Sequence, residues 1–236
     1  DCGLWFNLSF EADPIIQKLF LTTDFRRALS LGIDRDQLNQ AFWLGLGTPG
    51  SVAPDPQNIY FPGDEYRNLW STYDLTKANQ MLDQLGLDKK DPDGYRLRSD
   101  GKRLQLEIDT EAGQFIDFPH IAQMVAEQWK KIGVFLVVQT LERTVAETRH
   151  TANQHQMFAW QNDGSDHLFT FPGNVFPNGP TSAAGPLFGK WFASNGAQGK
   201  EPPDKMKELM ANFRKAFGVP VDQQVELGKA VWKITV

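Results

Sequence analysis

The sequence predicts an α/β fold, and three observations carry that prediction. Residues 104–109 alternate apolar and polar side chains as a half-buried strand does. Residues 118–132 place Ile121, Met124, Val125, Trp129 and Ile132 along one helical stripe, and residues 134–141 are again rich in β-formers. A strand, a helix and a strand within roughly 40 residues imply a right-handed parallel crossover.

The remaining elements follow in order. Residues 3–10 (GLWFNLSF) read as a strand. Asp13-Pro14 supplies an N-cap and a first-turn proline for a helix. Thr23 or Asp24 caps a second helix running to Ile33, with Phe25, Ala28, Leu29 and Ile33 on one face. Asp34 begins a third helix that carries Leu38, Ala41 and Phe42. Residues 45–63, rich in Gly, Pro and Asn, form a long loop. Tyr73-Asp74 opens a helix closed by Gly86. Residues 88–101 form a hairpin with turns at Pro92-Asp93-Gly94 and Ser99-Asp100-Gly101. After the crossover come a helix over 142–153 and a strand over 156–161. Residues 162–185 dissolve into Gly, Pro, Asn and Phe, and helices follow over 186–193, 203–217 and 221–234.

Composition bounds the function. The 236 residues are 41% hydrophobic and 22% charged, with net charge −5, so the chain is globular and has no basic face for nucleic acid. One cysteine, Cys2, excludes an intrachain disulfide and a multi-cysteine zinc site. No apolar run reaches the length of a membrane span. If the protein is exported, its signal lies upstream of Asp1.

Several segments, in order, resemble the family 5 extracellular solute-binding proteins, the oligopeptide-binding class of ABC importers. These are Phe25-Arg26-Arg27-Ala28-Leu29-Ser30-Leu31-Gly32-Ile33-Asp34-Arg35, then Gly45-Leu46-Gly47-Thr48-Pro49-Gly50 with Ala53-Pro54. Next come Tyr73-Asp74-Leu75-Thr76-Lys77-Ala78 with Met81-Leu82 and Leu85-Gly86, the stretch Asp93-Gly94-Tyr95-Arg96 with Asp100-Gly101-Lys102 and Leu104, and Trp129-Lys130-Lys131-Ile132-Gly133-Val134. Each motif is weak alone; the ordered set covers roughly residues 4–171.

The resemblance implies one lobe of a type II periplasmic-binding-protein-like, Venus-flytrap fold, a mixed sheet flanked by helices. Residues 1–236 would be the second lobe, entering near a hinge at Asn7, with the first lobe outside this sequence. It implies a non-enzymatic, periplasmic or extracellular binding protein that associates with an ABC permease in the membrane. Its cargo would be a peptide or, alternatively, an oligosaccharide or glycoside, with no cofactor. Residues 165–195 match no peptide-binding pattern, which leaves the cargo open. A module that binds a protein partner and no small ligand is a third reading, resting on the loops at 45–63 and 162–185.

The resemblance also selects a site. Trp160-Gln161-Asn162-Asp163 stands at a strand end, where a W-x-x-D in peptide-binding relatives presents its carboxylate to the ligand's α-ammonium; Asp163 matches that aspartate. A charge-assisted bond in a poorly hydrated cleft suits this role, and a turn aspartate is the plainer alternative. The expected ligand-binding residues are Trp160, Asp163, Asn162 and Phe158, with Phe169 and Trp191 as further sugar-stacking candidates. His150, His155, Asp163, Asp166 and His167 match no metal-ligand spacing. Asp91-Pro92-Asp93-Gly94 fails as an EF-hand because Lys89 would occupy the first ligand position. Asn7-Leu8-Ser9 has the glycosylation pattern but lies on an expected strand. No serine-nucleophile or phosphate-loop motif is present.

Overall fold

A computed structural model describes residues 1–162 and 166–236. Among these residues four strands form one mixed sheet in the order β1-β4-β2-β3: β1 (Gly3–Phe6), β2 (Gln105–Glu111), β3 (Phe135–Leu141) and β4 (Met157–Trp160). The crossover segment is parallel as expected, with β2 and β3 in register from Gln105↔Phe135 to Glu111↔Leu141. β4 lies parallel on the other side of β2, with Asp109 opposite Phe158. β1 closes that edge antiparallel, with Trp5 opposite Phe158 and Gly3 opposite Trp160.

The N-terminal helices are α1 (Pro14–Leu21), α2 (Thr23–Leu31), α3 (Arg35–Trp43), the single turn α4 (Asp64–Arg67) and α5 (Leu75–Gln84). Asp13, Asp34 and Asp74 cap α1, α3 and α5 as expected, each accepting a first-turn backbone N–H. The start of α2 differs from expectation. Thr22, not Thr23 or Asp24, is its cap residue, and the N–H of Thr22 also closes α1 on Leu19 and Lys18. One residue therefore ends one helix and begins the next.

The first strand is shorter than its apolar run because Asn7 turns the chain. The Asn7 carboxamide accepts from the Ser9 N–H (3.1 Å) and hydroxyl (3.0 Å) and donates to His155 O (3.0 Å) and Asn153 Oδ1 (2.9 Å). The amide of the Asn-Leu-Ser pattern is thus fully buried and committed to the fold.

Residues 88–103 form the expected tight hairpin, held by bridges Lys90↔Arg96 and Leu97↔Arg103. Its acidic turns bind arginines: Arg98 reaches Asp100 and Asp13 (both 2.6 Å), and Arg103 reaches Asp91 (2.6 Å) and Asp93. Arg96 is buried and donates to Ile132 O (2.7 Å), Asn79 Oδ1 (2.7 Å) and Asp83 (2.6 Å), joining the hairpin to α5 and to the end of α6 (Phe118–Lys130).

Two hydrophobic cores result. The larger gathers the N-terminal helices, α6 and one face of the sheet, through Leu106, Ile108, Leu136, Met157 and Ala159. The smaller gathers α8 (Pro186–Ala193), α9 (Asp204–Lys215) and α10 (Val221–Thr235) around Phe188, Phe213 and Trp232. Leu168, Val175 and Phe176 of the irregular segment are buried in this second core. Residues 166–185 are therefore pinned by burial and include one 3₁₀ turn, Pro172–Asn174. The other face of the sheet is partly covered by α7 (Arg143–Thr151), and this face carries the site.

Candidate functional site

Period-two alternation sends Glu107, Asp109 and Glu111 of β2 to the face opposite the larger core, and the cross-strand partners Phe158 and Trp5 lie with them. β2 leads to β3 on one side and β4 lies on the other, so the crossovers diverge at the β2–β4 pair. Crevices beyond the carboxyl ends of strands at such a point are where open α/β sheets bind ligands.

A cleft of about 860 Å³ opens there. Trp5, Phe158 and Trp160 give its aromatic wall, Glu111 and Arg143 its charged wall, and Ser182 lines it from the irregular segment. Trp160 stacks on Phe158 (centroids 5.6 Å, rings 15° apart) and on Phe118 (5.2 Å, 27°), and the Arg143 guanidinium lies 5.8 Å from its ring centre. The Ser182 hydroxyl is buried and has no hydrogen-bond partner among the described residues. Such a buried, unspent polar group is costly unless something satisfies it.

The electrostatics are set by β2 and α7. Arg149 neutralises the base of the acidic row, reaching Glu107 (2.7 Å) and the fully buried Asp109 (3.0 Å). Burial raises the Asp109 carboxyl, and Arg149 counters it. Burial likewise raises Glu111, opposed by Arg143 and reinforced by Glu147 and Glu142. Arg143 itself is paired with Glu147 at 2.9 Å.

His150 and His155 lie beneath the aromatic wall with ring centres 4.2 Å apart, and His150 packs edge-on to Phe158 at 4.4 Å. Burial depresses His150 to about 3 and His155 to about 4, so both are neutral near pH 7. The 3.9 Å approach of His150 Nε2 to Asp109 is therefore not an ion pair at that pH. His155 Nε2 donates to Ala183 O at 2.7 Å, which fixes its tautomer and ties β4 to the cleft wall.

Of the residues singled out from sequence, Trp160 and Phe158 line this cleft. Asn162 does not; it is buried, its N–H donates to Asp1 Oδ1 at 3.0 Å, and it faces a different cavity. Asp163 lies outside the described residues. Phe169 and Trp191 pack against the second core, Phe169 stacking on Phe213 at 5.3 Å, and neither lines the cleft. His167 and Asp166 are exposed.

Sequence reading missed Trp5, Glu111, Arg143 and Ser182. Glu111 had a usable signal, since it continues the Glu107, Asp109 alternation to a strand end. Ser182 had none, because only tertiary burial sets it apart.

A larger cavity of about 1150 Å³ runs between the sheet core and the C-terminal helices. Two of its arginines are already spent on backbone carbonyls. Arg35 donates to Ser30 O (3.0 Å) and Ser71 O (3.1 Å), and Arg26 donates to Phe20 O. The strand-end cleft, where Trp160 and Phe158 of the sequence-selected site meet the buried carboxylate of Glu111, is the better candidate.

A family model described as bacterial extracellular solute-binding proteins, family 5 Middle, matches residues 2–183. The chain belongs to this family. It is 33% identical over 109 residues to the oligopeptide-binding protein OppA of Lactococcus lactis subsp. lactis, covering 46% of this chain and 18% of that protein. A solved structure of an oligopeptide-binding protein OppA superposes with TM-score 0.86 at 29% identity over 99% of this chain and 38% of the other. The periplasmic binding protein MelB of Agrobacterium fabrum C58, solved in complex with stachyose, gives TM-score 0.77 at 18% identity over 99% of this chain and 36% of that one, a likeness of fold alone. The chain spans well under half the length of these proteins. Within that span, this family 5 chain has the α/β, mixed-sheet architecture of a type II periplasmic-binding-protein-like fold.

Proposed function

We propose that this chain forms one lobe, the second, of a longer solute-binding protein that captures a peptide between two lobes and delivers it to an ABC permease. The observation that carries the reading is the strand-end cleft, where aromatic rings meet a buried carboxylate and an unsatisfied hydroxyl within a family 5 fold. A ligand that contacts both lobes binds the closed form better and so shifts the open–closed equilibrium. The role follows from binding alone, and no nucleophile or general base enters it. Among the described residues no helix is long and apolar enough to cross a membrane. Contact with the membrane would, by the family resemblance, run through the permease. By the family resemblance, Asp163 takes the α-ammonium of the peptide, while Trp160 and Phe158 contact the neighbouring residues.

The second reading is an oligosaccharide cargo, favoured by the aromatic wall and by the stachyose complex of the MelB structure. Native mass spectrometry of the gently purified full-length protein tests both: a co-purifying peptide supports the first and a bound sugar the second. Asp163→Asn then separates them in titrations, abolishing peptide binding and sparing sugar binding. Unchanged peptide affinity in that variant would remove Asp163 from the site. No bound cargo, together with no thermal shift from peptide or sugar libraries, would overturn both.

A further inference from the structure

The strand-end cleft carries more negative charge than its own cations balance. Glu111 lies in the fields of Glu142 and Glu147, and Arg143 is the one cation that opposes them there among the described residues. Arg143 is committed to Glu147 at 2.9 Å, and both side chains are about 60% exposed. Glu111 is the reverse case. It is 3% exposed; among the described residues no ion pair within 4.0 Å reaches it, and its hydrogen bond there is a long one, from Gln114 Nε2 at 3.4 Å. A carboxylate held out of water without a cation is costly, and a protein keeps one where something else completes it.

The surroundings fit a cation. Glu111 ends β2 and Trp160 ends the neighbouring β4, so the carboxylate and the aromatic wall of Trp160, Phe158 and Trp5 face one cleft. An ammonium or guanidinium gains from a carboxylate on one side and ring faces on the other. The second, independent sign is Ser182, 6% exposed, whose hydroxyl lines the same cleft unpartnered and can accept a further N–H.

We infer that Glu111 forms a cation subsite, so that the protein prefers cargo carrying an ammonium or guanidinium group in addition to a peptide's α-ammonium. The inference rests on the binding-protein reading above. The group has two sources, a lysine or arginine side chain or an amino sugar.

The test is isothermal titration of the full-length protein with four kinds of probe. Two are tetrapeptides with free N-termini, carrying one lysine at each position in turn or norleucine in its place. The others are a β-1,4-linked glucosamine tetramer and its uncharged N-acetylated form. The expected result is binding about tenfold or more tighter for the cationic member of one pair, with that preference lost in Glu111→Gln. The pair that shows it names the source. Should Glu111→Gln fail to fold, Arg143→Gln reads the same charge from the other side: removing the competing cation tightens the cationic probe relative to the neutral one. Neutral members binding with no cationic preference would overturn the subsite and leave the binding-protein reading standing. A preference that survives Glu111→Gln would assign it to another residue. No binding by any probe would sink both.

Discussion

Nε of Arg149 lies 3.0 Å from Oδ2 of Asp109, a carboxylate with no solvent exposure, and the same guanidinium reaches Glu107 at 2.7 Å. This contact docks α7 on β2 and fixes one wall of the cleft. Arg149→Met leaves a buried charge without a partner and is expected to cost about 3–5 kcal/mol. The double variant Asp109→Asn, Arg149→Met removes both charges and should recover a large part of that loss. Urea unfolding of the two variants checks it, and equal losses would show that the ion pair is not what holds α7.

How much of this was legible in the sequence depends on whether the signal is local. The caps at Asp13, Asp34 and Asp74 and the stripe of α6 are written within single turns, and they appear where expected. The parallel pairing of β2 and β3 follows from one strand–helix–strand unit. The antiparallel seat of β1 on β4 joins residues more than 150 apart in sequence, and no local pattern announces it. The site divides the same way. Trp160 and Phe158 could be marked at a strand end by resemblance, whereas Trp5 enters the cleft only through that distant pairing. Asn162, two residues from Trp160, turns to Asp1 instead.

Gly189 of α8 packs its backbone directly against the loop that holds Ser182. A Cβ at Gly189 would lie 1.9 Å from Gly179 O, closer than any real contact, and the obstacle is backbone that no rotamer change can move aside. Gly189→Ala must push the 172–185 segment away from α8, at a cost of about 1–3 kcal/mol or more by the usual scale of overpacking. Because Ser182 and Ala183 line the cleft, cargo affinity should fall as well. Thermal unfolding and ligand titration of the variant test this; a stable variant that binds normally would mean the loop has room the packing does not show.

The buried pair His150 and His155 predicts an acid sensitivity of definite sign. Unfolded histidines titrate near 6.5, while burial holds these two at about 3 and about 4. Below pH 6.5 the unfolded state therefore takes up the protons first. The stabilisation is complete above pH 6.5 and is lost as the pH falls towards 4, by about 1.4 kcal/mol per pH unit for each histidine. The raised carboxyl of Asp109 works in the opposite direction at the acid end, so the comparison needs a variant. His150→Phe keeps a ring against Phe158 and removes a buried Nε2 that has no hydrogen-bond partner among the described residues. Its stability near pH 7.5 should be unchanged or higher, and its slope between pH 6 and 5 shallower by about 1.4 kcal/mol per unit. Parallel curves for variant and wild type would show that His150 titrates normally.

Trp160 separates architecture from recognition, because its ring both stacks on Phe118 and Phe158 and lines the cleft. Trp160→Ala removes both stacks at once and should cost about 3 kcal/mol, the low end for such truncations because the side chain is half-buried. Affinity lost in that variant does not separate the two roles, since the cleft wall loses its stacked support at the same time. Trp160→Phe is the informative change. A phenyl ring can keep the contacts to Phe118 and Phe158, so stability should fall by only about 1 kcal/mol. What it surrenders is the indole's extra area and its N–H, which matter to a ligand far more than to the stack. On the proposed function, Trp160→Phe therefore weakens cargo by about fivefold or more at nearly native stability. Equal affinity in Trp160→Phe and wild type would make Trp160 a structural stack alone and move recognition to Trp5 and Phe158.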